Sequence, residues 1–176
     1  MRSVSVIFFL SMLFAGSVLA ERADRDKPVH LESDRATVEN FGRSNGEDRI
    51  SVFTGNVVLT RGTLVIRSDK MVVKEDANGF RNVIAYGNLA SFRQKRDGVN
   101  EYIEGWSERM EYDSKTDKVE LFKQARLKRG LDEVRGDYIS YEATTEFFQV
   151  NNGAKTKIKP YSRVHAIIRP KNKKKN

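Results

Sequence analysis

Ser68-Asp69-Lys70-Met71-Val72-Val73 is one of four variants of a single pattern. Ser33-Asp34-Arg35-Ala36-Thr37-Val38 stands before it, and Ser107-Glu108-Arg109-Met110-Glu111-Tyr112 and Gly136-Asp137-Tyr138-Ile139-Ser140-Tyr141 come after. The acidic position falls at 34, 69, 108 and 137. A period of roughly 30 to 40 residues marks repeat architecture. Between these segments lies a second recurring element: Phe53-Thr54-Gly55-Asn56-Val57, Tyr86-Gly87-Asn88-Leu89-Ala90, Phe122-Lys123-Gln124-Ala125-Arg126 and, more loosely, Val150-Asn151-Asn152-Gly153-Ala154. Each unit is expected to carry at least two short strands separated by turns. A unit of that size cannot bury its apolar face alone, so successive units must stack or fold over one another.

The periodicity within the units has step two. Leu64 and Ile66 flank Val65, Met71 and Val73 flank Val72, Val119 and Leu121 flank Glu120, and Ile139 and Tyr141 flank Ser140. Successive strand residues point to opposite faces, so each pair lines one face of a sheet. No stretch holds helical spacing for long; only Asp132–Arg135 and Thr144–Phe148 suggest a single helical turn. Turn dipeptides such as Asn78-Gly79 and Asp97-Gly98 punctuate the chain, and Gly55, Gly87, Gly105 and Gly136 read the same way. Pro28, Pro160 and Pro170 bracket the region between positions 29 and 159, where a proline would remove a ladder hydrogen bond. The expected fold is all-β: a two-layer sandwich or jelly roll of repeated antiparallel strands that elongates with each repeat.

Outside the repeats, Met1–Ala20 reads as a secretory signal peptide. Arg2 supplies the positive start, Val4 to Ala15 is almost wholly apolar, and Ser17-Val18-Leu19-Ala20 ends on small residues. The apolar run is shorter than the ~20 residues a spanning helix needs. Residues 21–169 are expected to form one domain, and the basic tail 170–176 a disordered end. The expected compartment is the periplasm. Lys plus Arg number 32 against 24 Asp plus Glu, for a formal charge of +8, so an acidic partner has to be found. An export leader argues against nucleic acid. With no Cys in the chain, thiol catalysis, thiolate zinc and disulfides are excluded. His30 and His165 lie near opposite ends of the chain, which disfavours a histidine metal centre.

With its leader, Asp26-Lys27-Pro28-Val29-His30-Leu31-Glu32-Ser33-Asp34, Phe53-Thr54-Gly55-Asn56-Val57 and Gly136-Asp137-Tyr138-Ile139-Ser140-Tyr141, the chain resembles the LptA (OstA-like) family of lipopolysaccharide export. The resemblance runs from about Asp26 to Ile158. It implies a periplasmic β-jelly roll, open at both ends, that binds the lipid A part of lipopolysaccharide. It also implies stacking end to end as a homo-oligomer, between an LptC-like inner-membrane partner and an LptD-like outer-membrane translocon.

The residues offer no enzyme. Gly42-Arg43-Ser44-Asn45-Gly46 satisfies G-x-S-x-G, but a nucleophile elbow needs an apolar strand before it and a helix after it. Here Glu39-Asn40-Phe41 and Glu47-Asp48-Arg49 flank it, as in a solvated loop. Glu47/Asp48 and Asp132/Glu133 are adjacent pairs, and neighbours on a strand face opposite ways, so neither suits paired acid–base chemistry. No cofactor and no metal are expected.

A surface is expected instead of a site. Val29, Leu31, Phe53, Leu64, Ile66, Ile84, Phe92, Met110, Tyr112, Ile139, Tyr141 and Phe148 are the inner-face candidates. Packed together, they are an ordinary core. If the layers splay, the same residues line a groove for acyl chains, where each buried methylene contributes ~0.8 kcal/mol. Arg61, Lys70, Arg93, Lys95, Arg96, Lys128 and Arg129 are either a solvated outer face or groove-mouth partners for lipid phosphates. Lys27–Glu32 and Arg163–Arg169 are extended and partly apolar, as strand addition requires. Two functions follow: a non-catalytic lipid bridge with a groove, or a basic adaptor with a filled core that binds an anionic polymer or membrane surface.

Overall fold

The two-residue alternation builds strands longer than one layer can use. The computed structural model describes residues 24, 27–40, 49–76, 79–151 and 163–170. The signal peptide, Ser44 and its loop, the Glu47/Asp48 pair and most of the basic tail lie outside them. Ten strands follow in order: β1 Val29–Glu32, β2 Arg35–Asn40, β3 Arg49–Arg61, β4 Leu64–Asp76, β5 Gly79–Lys95, β6 Tyr102–Asp113, β7 Lys118–Arg129, β8 Asp132–Glu142, β9 Phe147–Asn151 and β10 His165–Ile167. All belong to one antiparallel sheet of order β1-β3-β4-β5-β6-β7-β8-β10; β2 also pairs with β3, and β9 with β8.

That sheet is folded double. A strand of 13 residues such as β3 is roughly 40 Å long when extended. Yet Arg61, at the end of β3, donates to the Tyr112 hydroxyl at 3.1 Å, near the opposite end of β6. Only a sheet bent across its strands brings those ends together. The bend lies where the register breaks: between Thr54 and Val57, Arg67 and Lys70, Tyr86 and Ala90, Trp106 and Arg109, and Phe122 and Ala125. These are β-bulges, whose extra residues kink and twist a strand. The extra residues lie on β3, β5 and β7, and opposite them the buried phase of β4 and β6 reverses. The buried positions of β4 are Leu64, Ile66 and Ser68 before the bulge, then Met71 and Val73 after it. In β6, Ile103 and Ser107 give way to Met110 and Tyr112. The change of phase at the bend keeps the apolar set of both halves of each strand on the inner face.

The acidic repeat holds this fold line. Asn56 Nδ2 donates to Asp34 Oδ2 at 3.0 Å, the Asn88 amide to Asp69 Oδ2 at 3.1 Å, and Gln124 Nε2 to Glu108 Oε1 at 2.7 Å. In three of the four repeats the acidic residue is thus bonded to the bulge of the following strand. Gly55 shows why the bulge sequence is constrained. Its φ is +79°, and a Cβ there would come within 2.3 Å of Asp34 Oδ2.

Several expectations change. The units hold long bent strands, not short ones, because Gly55-Asn56 and Gly87-Asn88 are bulges inside β3 and β5 rather than turns. Gly105 and Gly136 are strand residues too. Asp132–Arg135 opens β8 instead of forming a helical turn, since Asp132 and Glu133 take ladder positions opposite Arg129 and Lys128. Residues 144–146 form a turn that leads into β9. Strand β10 extends the sheet beyond Pro160. The architecture is an elongated, open, antiparallel β-jelly roll.

Candidate functional site: the seam and its lip

Between the folded halves runs an apolar seam, crossing the strands from the β1/β2 edge to the β9/β10 edge. Its middle is sealed. Leu64, Ile66, Phe92, Met110, Tyr112, Ile139 and Tyr141 are all at most 3% exposed. The Phe92 ring stacks against Tyr141 with centroids 6.3 Å apart, joining the X half of the sheet (the halves ending in the β3–β4, β5–β6 and β7–β8 turns) to the Y half. Beside Phe92 only glycine fits: a Cβ on its ladder partner Gly105 would lie 2.2 Å from the ring. The ends of the seam are different. Val29, Leu31 and Phe53 at one edge, and Phe148 at the other, pack against the core but stay only partly buried. Eleven of the twelve inner-face candidates thus lie along one seam. Ile84 does not. It alternates with core residues Val83 and Ala85, so it takes the opposite face.

Opposite the fold line, the free ends of the two halves meet at a lip closed by polar bonds. Tyr112, whose hydroxyl accepts from Arg61, donates a hydrogen bond to Asp117 Oδ1 at 2.9 Å. Burial raises the Tyr112 phenol well above its ordinary range, and Asp117 adds to the effect. Farther along, Arg96 forms a two-pronged bond to Glu146, with Nε–Oε1 at 2.9 Å and Nη2–Oε2 at 2.6 Å, and a third bond to Glu101 at 2.5 Å. The Arg96 bond holds the Glu146 carboxyl below its ordinary value. The Arg129 guanidinium sits 5.8 Å from the centre of the Phe148 ring. Nearby Tyr141 is pushed up to about 12, chiefly by burial.

The structure sorts the basic candidates. Arg61, Arg96 and Arg129 stand at the lip, whereas Arg93 and Lys128 lie on the outer face, each 3.6 Å from Glu104. Lys70 is exposed beside the fold line. The acidic halves of the lip bonds were not among the candidates, although the sequence carries a signal for them. Arg61-Gly62 and Arg129-Gly130 close two X turns, while Asp113…Asp117 and Glu142…Glu146 place acids four apart at two Y turns. Asp117 and Glu146 share a positive φ, 50° and 54°. Of the paired carboxylates, Asp132 accepts the Arg169 amide and Glu133 binds Arg126 and Arg135. Exposed His30 and His165 sit on opposite edge strands. No cluster of three or more His, Cys, Asp or Glu able to hold a metal occurs among the described residues.

The first and last strands among the described residues both belong to the sheet. Antiparallel β1 covers Val58–Arg61 of β3, and β10 covers Glu133–Arg135 of β8. The backbone edges left over are therefore those of β1/β2 and β9/β10. No helix among the described residues is long and apolar enough to cross a membrane.

Known proteins share this arrangement. The chain is 34% identical to the lipopolysaccharide export system protein LptA of Escherichia coli K12, over 74% of this chain and 69% of that protein. It is 26% identical to LptA of Haemophilus influenzae, over 89% of each. The crystal structure of LptH, the LptA-homologous periplasmic component of the lipopolysaccharide transport device of Pseudomonas aeruginosa, superposes with a TM-score of 0.72 at 22% identity, covering 84% of this chain and 99% of that one. Residues 30–147 match the profile described as LptA/(LptD N-terminal domain) LPS transport protein, and the chain belongs to that family.

Proposed function

We propose that this chain is a non-catalytic periplasmic bridge for lipopolysaccharide, shielding lipid A acyl chains in the seam on the way from an inner-membrane component to an outer-membrane one. One observation carries the reading: a continuous apolar seam is sealed in its middle and reaches solvent at both edges of the sheet. A filled protein core needs no such ends. Loading then parts the halves at the lip, where Arg61–Tyr112–Asp117 and Arg96–Glu146 are bonds that can be remade, while the fold line acts as a hinge. Each methylene that enters gains ~0.8 kcal/mol, so several chains offset the apolar contacts given up on opening. The cargo and the compartment follow from the names of the relatives and from the leader Met1–Ala20, with 21–169 as the single domain and 170–176 as its tail. The β1/β2 edge of one copy meets the β9/β10 edge of the next, or the matching edge of an LptC-like or LptD-like partner. Two different edges joined head to tail build an open filament, not a closed dimer.

Seven of the inner-face residues are sealed from water, which favours a second reading, the basic adaptor with a filled core. A photo-crosslinking side chain at Phe92, or at half-buried Phe148 in a second variant, separates the two. Lipopolysaccharide captured there and not at Trp106, on the outer face under Arg126, supports the bridge. Capture confined to the outer face overturns it.

A further inference from the structure

Two adjoining cavities at the C-terminal end of the seam have opposite chemistry. The larger, about 500 Å³, is lined by Arg96, Arg129 and Arg169 together with Glu101 and Asp132. The smaller, about 190 Å³, is walled by Ile103, Leu127, Val134, Phe148, Ile167 and Ile168. Arg129 and Asp132 belong to both. One cavity is a compartment of guanidinium groups, the other is greasy, and Arg129 stands at their junction over the Phe148 ring.

We propose that this pair of cavities is a subsite for the junction of a phosphorylated lipid, its phosphate among Arg96, Arg129 and Arg169 and the start of an acyl chain against Phe148 and Leu127. The inference rests on the bridge reading and adds the position of the head group, the part of Arg169 and the place where the first chain enters. Guanidinium forks match phosphate oxygens two at a time, and three forks around one space are an unusual provision for any neutral ligand. Resident acids occupy Arg96 in the meantime. Arg96 spends both edges of its fork on Glu146 and Glu101. A phosphate that engages Arg96 must take an edge of its fork from Glu101, which lines the same cavity, or from Glu146 across the lip. Where it takes the Glu146 edge, arrival of the head group unlatches the lip beside the apolar cavity. The walls of both cavities include the terminal segment, through Ile167, Ile168 and Arg169, so the subsite exists only while β10 lies on β8.

The test compares binding of a phosphorylated lipid A and its dephosphorylated form to the full mature chain, to Arg129→Gln and Arg169→Gln, and to Arg93→Gln on the outer face. The expected result is a preference for the phosphorylated lipid on the order of tenfold, reduced severalfold by Arg129→Gln and Arg169→Gln and kept by Arg93→Gln. Binding of the dephosphorylated lipid should be the same in all four proteins, which also shows that each variant is folded. Equal binding of both lipids to the unaltered chain overturns the subsite while leaving the bridge intact. Binding of neither lipid overturns the bridge reading itself. Inorganic phosphate alone is the remaining arm: affinity equal to that of the phosphorylated lipid would make this a free-anion site and end the proposal, and binding at least a hundredfold weaker supports it.

Discussion

The fold line and the lip bound the same seam and are built on different chemistry. Along the fold line, carboxylates of the repeat bond to amide groups of the next strand's bulge, each joining residues that the ladder already makes neighbours. Across the lip, arginines bond to acids and a phenol on a half of the sheet that no ladder connects to theirs. Breaking the first distorts a strand; breaking the second frees two turns to separate. In the proposed opening one border is therefore the hinge and the other the latch, although both are lines of polar bonds at the rim of an apolar interior.

The largest effect should come from the interior the two borders share. Ile139 is fully buried there, and Ile139→Ala is expected to cost about 2–5 kcal/mol in urea unfolding. A loss under about 1 kcal/mol would mean that the seam is loosely filled, with little to separate hinge from latch. On the hinge side, Gly55→Ala combines a positive φ with a clash on Asp34 and should cost more than about 1 kcal/mol. Adding Asp34→Ala should recover part of that loss by removing the clash. Next comes Asp69→Ala, expected to lower stability by about 1 kcal/mol through the lost bond to the Asn88 amide. Hydrogen exchange should speed up at the bulge and stay unchanged at the lip.

The latch should give the smallest change in stability and the clearest dependence on pH. Glu146→Gln exchanges a partly exposed ion pair for a neutral contact, worth under about 1 kcal/mol. Because Arg96 lowers the folded-state pKa of Glu146, the pair's contribution is complete above the ordinary carboxyl value of 4.5 and is lost as pH falls through the folded one. Thermal midpoints of the unaltered chain and of Glu146→Gln should therefore converge as pH drops below about 4.5. A gap that stays constant down through that window would assign the pair no role in latching.

Much of this was legible in the residues. The recurrence of Asp34, Asp69, Glu108 and Asp137 exposed the repeat, and step-two alternation placed eleven of twelve seam residues on one face. The bulges were misread as turns because Gly-Asn suits both, and only the carboxylate across the ladder distinguishes them. Ile84 went astray for a related reason. Its strand changes phase between Tyr86 and Ala90, so alternation counted from Phe92 places it on the wrong face. The latch was hidden because Arg61 and Tyr112, or Arg96 and Glu146, lie about fifty residues apart and meet only after the sheet has doubled over. Local pattern reports local pairing; contacts made by global bending leave a fainter trace, here the glycine after an arginine and the acids four apart.

A hinge assembled one hairpin at a time also sets a length scale. Each repeat contributes two strands about 4.8 Å apart, so every duplicated unit would lengthen the seam by nearly 10 Å without altering its cross-section. The carboxylate-to-bulge bond is the joint that lets another segment be spliced in, which makes repeat number a ruler for the gap such a protein can span.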